Sequence, residues 1–125
     1  MNVLFLNNSE VSPQSSGIQR VTTVLADEFS KNGIKCYSVF FSHNQSEPKA
    51  NFEEKYLLNK KNVYEQLENI LVTNKINFVI CQEVVGNKLF FKNIRRAVKK
   101  IEHCKSVYCL HNTPEHIYSR PNIFA

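Results

Sequence analysis

No run of apolar residues in this 125-residue sequence is long enough to cross a bilayer. No secretory leader is expected at its start, because Asn7, Asn8 and Glu10 follow the first apolar stretch too soon. A cytosolic location is the resulting expectation. The four cysteines show no CxxC and no Cys/His spacing of the kind that holds zinc. Cys36, Cys81 and Cys109 fall inside expected strands, so free thiols acting as small core residues, and no structural metal, are expected. GxGxxG is missing and the first loop is too long, which disfavours a dinucleotide-binding dehydrogenase. No acidic pair follows the first apolar stretch, where Asn7-Asn8 stands instead, which argues against a phosphoacceptor receiver. Repeats and low-complexity segments are absent. What is present is 42% hydrophobic residues, enough for one soluble domain, and a formal charge of +5. That charge suits an anionic partner or membrane surface without requiring one.

The richest stretch runs from Asn2 to Gly33. Val3-Leu4-Phe5-Leu6 has no polar alternation, as expected of a strand buried on both faces of a parallel sheet. Ser12 to Gly17 is built of turn formers. Ser16 fits a helix N-cap, with Gln19 three residues on completing a capping box. Ile18, Val21, Val24, Leu25 and Phe29 follow at helical spacing, and Gly33 fits the C′ position that ends the helix. A strand feeding a helix N-terminus leaves free backbone N–H groups in a cleft, a place for phosphate or hydroxyl-rich ligands.

Further strands are expected at Lys35–Phe41, Phe78–Gln82 and Val107–His111, with a short extra one at Tyr56-Leu57-Leu58. A second helix is expected over Val63–Thr73, capped by Asn62 with Glu65 closing the box, its buried stripe Val63, Leu67, Ile70 and Leu71. A third covers Lys88–Glu102, capped by Asn87, with Phe90, Ile94, Ala97, Val98 and Ile101 inward. Ser42–Lys55 reads as a polar loop. This alternation predicts an α/β fold, a doubly wound parallel sheet of Rossmann-like type, in the core order second, first, third, fourth strand. Ligands then bind where Asn7–Gly17, Gln82–Gly86 and His111–Glu115 converge at the carboxyl ends. Nothing after the turn Asn112-Thr113-Pro114 reads as a closing helix, so residues 1–125 are expected to be a partial N-terminal domain. A small complete four-stranded domain is the alternative.

Taken together these residues resemble the start of a retaining glycosyltransferase of the two-Rossmann-domain (GT-B) architecture, in the family that includes sucrose synthases and many bacterial polysaccharide transferases. Gly17, Arg20, Leu25-Ala26 and Gly33 fill the family's places along the first loop and helix. Asn77-Phe78-Val79-Ile80-Cys81-Gln82 is similar to its strand ending in a polar residue. Val107-Tyr108-Cys109-Leu110-His111-Asn112-Thr113-Pro114 resembles its strand ending in histidine before a polar turn. The family often has two adjacent glycines where this chain has Ser16-Gly17. The resemblance implies an acceptor-side domain, with a nucleotide-diphosphate sugar as donor held by a second domain and no other cofactor. It also implies a carbohydrate or lipid-linked acceptor and, for this piece alone, no turnover. The competing reading is a stand-alone flavodoxin-like binding or signalling module without catalysis.

The candidate residues follow. His111 ends a strand at the predicted crevice. It either bonds a nearby carbonyl or, as the family implies, contacts the transferred sugar or acceptor. Ser16, Gly17 and Ile18 offer backbone N–H groups to a ligand, or simply cap the helix. Glu10 and Glu83 are placed to accept bonds from acceptor hydroxyls, and Arg20 either faces an anionic acceptor or is solvated. His116 has a weaker case than His111, and His43 and His103 read as surface. Lys88, Lys92, Arg95 and Lys99 line one stripe of the third helix, with Arg96 and Lys100 beside it. That stripe is either a solvated face or an anionic-lipid surface suited to lipid-linked acceptors. Nucleic acid is disfavoured, because no aromatic platform or recognition-helix motif accompanies the charge.

Overall fold

The computed structural model describes residues 1–82 and 88–108, without the side chains of 88–91 and 108. Five strands are described: β1 (Asn2–Leu6), β2 (Lys35–Phe40), β3 (Lys55–Leu57), β4 (Phe78–Cys81) and β5 (Lys105–Tyr108). Three helices join them: α1 (Gly17–Lys31), α2 (Val63–Thr73) and α3 (Lys88–Lys100). All strand pairs are parallel, in the order β3-β2-β1-β4-β5. The fold is therefore α/β, doubly wound and Rossmann-like, with β1 central. No described helix is long and apolar enough to cross a membrane.

β1 is buried on both faces because helices cover both. On one face Leu4, Leu6, Val39 and Val79 pack under Leu67, Ile70 and Leu71 of α2 and Ile94, Ala97 and Val98 of α3. On the other, Val3, Phe5 and Cys36 meet Ala26 of α1, with Leu25, Phe29 and Phe52 half-buried around them. Phe5 lies between Phe29 and Phe52, each ring 6.1 Å away. Phe52 belongs to the 41–54 segment, so that polar loop replaces a helix in the crossover from β2 to β3. Cys36 and Cys81 are buried in strands, as expected, and Cys104 is buried as well. Burial, reinforced by Glu53 and Asp27, pushes the Cys36 thiol up, so it stays protonated. Cys109 lies outside the described residues.

At α1 the structure adds a detail, and at α2 it corrects an expectation. The buried line of α1 is Gln19, Thr22 and Ala26, while Val21 and Val24 are 47% and 56% exposed. Small Thr22 and Ala26 let the helix lie close to the sheet, where the Cys36 thiol reaches the Ala26 carbonyl at 3.8 Å. Ile18, Leu25 and Phe29 flank that line and are half-buried. At α2 the expected box fails, because Asn62 sits in the left-handed region (φ 58°) and its side chain bonds no amide of the first turn. Gln66 folds back instead, its Nε2 donating to the carbonyls of Asn59 and Lys61 and its Oε1 accepting from the Asn59 N–H. Asn87 lies outside the described residues, and so does the Phe90 side chain.

The ends of α1 and α2 repeat one device with different residues. After α1, the Ile34 N–H donates to Phe29 O and the Gly33 N–H to Ser30 O, with Gly33 at φ 77°. After α2, Ile76 N–H donates to Leu71 O and Lys75 N–H to Val72 O, with Lys75 at φ 51°. Both are Schellman ends, and the left-handed residue costs little only as glycine. Gly33→Ala should lose about 1–2 kcal/mol and Lys75→Gly should gain up to about 1 kcal/mol, read by denaturant unfolding. Equal responses at the two sites would contradict the assignment.

Candidate functional site

The loop after β1 does not leave the sheet at once. Asn7 N–H donates to Val39 O (3.0 Å), Phe41 N–H to Asn8 O (3.0 Å) and Glu10 N–H to Ser42 O (2.9 Å). The β1–β2 ladder thus continues into the two following loops. Val11 and Ser12 are buried, the Ala50 N–H donates to Val11 O, and the Ser12 hydroxyl donates to Pro48 O at 2.7 Å. A turn closed by the Ser15 N–H on Ser12 O then delivers Ser16.

Ser16 is extended, and its Oγ accepts the Gln19 N–H at 3.2 Å, which is the expected N-cap. The N–H groups of Gly17 and Ile18 fall before the first intrahelical bond, Arg20 N–H to Ser16 O. Gly17 is exposed, and a Cβ built there would meet nothing within 4 Å. Packing by the described residues therefore does not require glycine at this position.

The other half of the expected capping box is replaced by a different bond set. The Gln19 side chain does not return to the Ser16 N–H. Its Oε1 accepts the Ser12 N–H (3.0 Å) and the Asn44 Nδ2–H (3.1 Å). Its Nε2 donates to Ser9 O (3.3 Å) and Ser9 Oγ (2.8 Å). One buried carboxamide therefore joins α1 to the loops after β1 and β2. Sequence reading missed this role. The available signal was that Gln19, Thr22, Ala26 and Phe29 form a second helical stripe with a polar head.

Glu10 is already committed within the chain. Its side chain is 13% exposed, with His43 Nδ1 3.2 Å from Oε1 and Lys55 Nζ 3.4 Å from Oε2. Burial pushes its carboxyl up, but the bonds from His43 and Lys55 and the charges of Lys55 and Lys49 outweigh it and hold the pKa below 4.5. Two of the bonds this carboxylate accepts therefore come from within the chain, and exposed His43, read from the sequence as surface, supplies one contact. Arg20 is exposed, and its Nε donates to Pro13 O at 3.4 Å.

Gln82 directly follows β4, buried with its N–H on Leu6 O at 3.1 Å. The buried polar residues among those described are Asn7, Ser12, Gln19, Thr22, Ser38 and Gln82. All lie in the carboxyl half of β2, just past the carboxyl ends of β1 and β4, or in the first half of α1. Glu83, His111 and His116 lie outside the described residues. Lys92, Arg95, Arg96 and Lys99 are exposed on α3, far in sequence from the loop after β1, and Lys88 opens that helix. Among the described residues no group of three or more His, Cys, Asp or Glu side chains is placed to hold a metal ion.

The Glu10 clasp makes an acid-sensitivity prediction. A carboxyl with a lowered folded pKa contributes stability above its unfolded value and loses it as pH falls through the folded value. Stability should therefore decline as pH drops below 4.5, and Glu10→Gln should flatten that part of the profile. An unchanged acid limb in Glu10→Gln, followed by urea unfolding against pH, would show that the clasp contributes nothing.

No protein-family model matches this sequence, and no curated protein matches it. Among solved structures, the MID domain of the Argonaute protein QDE-2 from N. crassa is similar in outline. Its TM-score is 0.45, at 12% identity, over 97% of this chain and 91% of that one. At that level of likeness nothing about ligand or activity transfers.

Proposed function

We propose that this chain is the acceptor-side N-terminal domain of a GT-B glycosyltransferase, moving a sugar from a nucleotide-sugar to a carbohydrate or lipid-linked acceptor in polysaccharide biosynthesis. The observation that carries the reading is the junction past β1. There the Gly17 and Ile18 N–H groups precede the first helical bond, at the end of a loop that Gln19 fixes. Such amides suit the hydroxyls and anionic groups of a sugar ligand. The Glu10 carboxylate has room for further bonds beyond His43 and Lys55, since two oxygens offer about four lone pairs. In this reading the nucleotide diphosphate is held by a second domain, and transfer takes place between the two. His111 keeps the role that the resemblance implies, a neutral imidazole bonded to a sugar hydroxyl. Retention of anomeric configuration rests on the resemblance alone.

The test uses one substitution in two settings. In an enzyme that includes the second domain, His111→Ala should lose roughly 10²-fold in kcat/KM, about 3 kcal/mol. In the 125-residue chain the same change should cost only about 1 kcal/mol of stability, the usual net value of one hydrogen bond. The chain alone should transfer no sugar. Several kcal/mol of destabilisation with near-normal activity would make His111 structural, and robust transfer by the chain alone would refute the need for a second domain.

A further inference from the structure

The cations of α3 divide into two rows. Arg96 and Lys100, one turn apart, lean on Tyr64 of α2, at 4.7 and 5.2 Å from the ring centroid. Tyr64 and then Glu68 raise the pKa of Lys100, so this inner row has partners within the domain. Lys92, Arg95 and Lys99 form an outer row and are exposed, while Ile94, Ala97 and Val98 of the same helix are buried. None of the ion pairs among the described residues includes an outer-row cation. At about 1.5 Å per residue, the outer row extends for roughly 10 Å along the helix. Lys88 precedes it by one turn in sequence. On the outward side of neighbouring α2, Val72 is 58% exposed.

We infer that the outer row of α3 docks this domain onto an anionic lipid surface. A same-sign row with no ion-pair partner among the described residues is complementary to a sheet of anionic headgroups. Each cation near such a surface raises partitioning about fivefold, so three raise it about 10²-fold. Single-stranded nucleic acid fits this face less well, because bases need an aromatic ring to stack on and the Tyr64 ring is already covered by Arg96 and Lys100. The surface lies on the α2–α3 side of the sheet, opposite α1. The inference therefore goes beyond the transferase reading and stands or falls separately from it.

Vesicle co-sedimentation tests it, using the whole chain with phosphatidylcholine alone or with added phosphatidylglycerol, at low and physiological salt. Binding should require phosphatidylglycerol and weaken as salt rises. Arg95→Glu with Lys99→Glu should lose at least about tenfold in partitioning. Lys31→Glu with Lys35→Glu, the same charge change on another surface, should lose far less. If the reversed pair fails to fold by circular dichroism, Arg95→Gln with Lys99→Gln replaces it with the same expected direction. Equal binding to both vesicle types, or equal loss in the two charge-reversed variants, would overturn the inference. Tighter binding of oligothymidine than of anionic vesicles at the same salt would also overturn it, in favour of nucleic acid.

Discussion

A primary amide taken out of water has four hydrogen-bonding positions to fill, and the Gln19 side chain fills all four from two loops. The arrangement at the carboxyl end of the sheet depends on this. Ser12 N–H is buried and has left its place in any ladder, so it needs an acceptor inside the fold. Asn44 and Ser9 sit on separate loops and are held together by the same carboxamide. Removing it would strand several buried groups at once, which costs more than the bonds themselves are worth.

From that latch follows the division of the domain. The amino-terminal end of the sheet is closed by backbone bonds and by Asn2, whose Nδ2 donates to Asn74 O at 2.7 Å. The carboxyl end holds the buried polar residues and the committed Glu10, a costly composition that core packing alone would not select. These polar groups are held in place beside the start of α1. The α2–α3 layer, which buries most of the apolar core, is free to carry charge on its outer surface.

Much of the fold was legible because periodicity carried it. α2 spans Val63–Thr73 as its apolar spacing predicts, and the order of the core strands follows from strand–helix alternation. Gly33 was read correctly as a helix stop, and the Schellman bonds give that glycine a folding role. The buried line of α1 was not legible, because Val21 and Val24 are more apolar than Gln19 and Thr22, yet the sheet selects small side chains for close approach and the loops select an amide. Propensity and pattern see one helix at a time, whereas the Gln19 bonds join residues that are neighbours only after β1 and β2 pair. The Glu10–His43 pair was hidden for the same reason, its partners being 33 positions apart. Gly17 and Ser16 were legible as a cap, and a cap and a ligand site use the same residues.

The most direct measurement of the latch is the unfolding free energy of Gln19→Leu, together with amide hydrogen exchange at Ser12 and Glu10. Leucine keeps the bulk and removes every bond. If the carboxamide organises this end of the sheet, the variant should lose about 2–4 kcal/mol, in line with several stranded buried groups. Exchange at the Ser12 amide should then rise well above that of the β1 amides. A loss below about 0.5 kcal/mol, the range of an inert surface change, with Ser12 protection intact, would contradict the account.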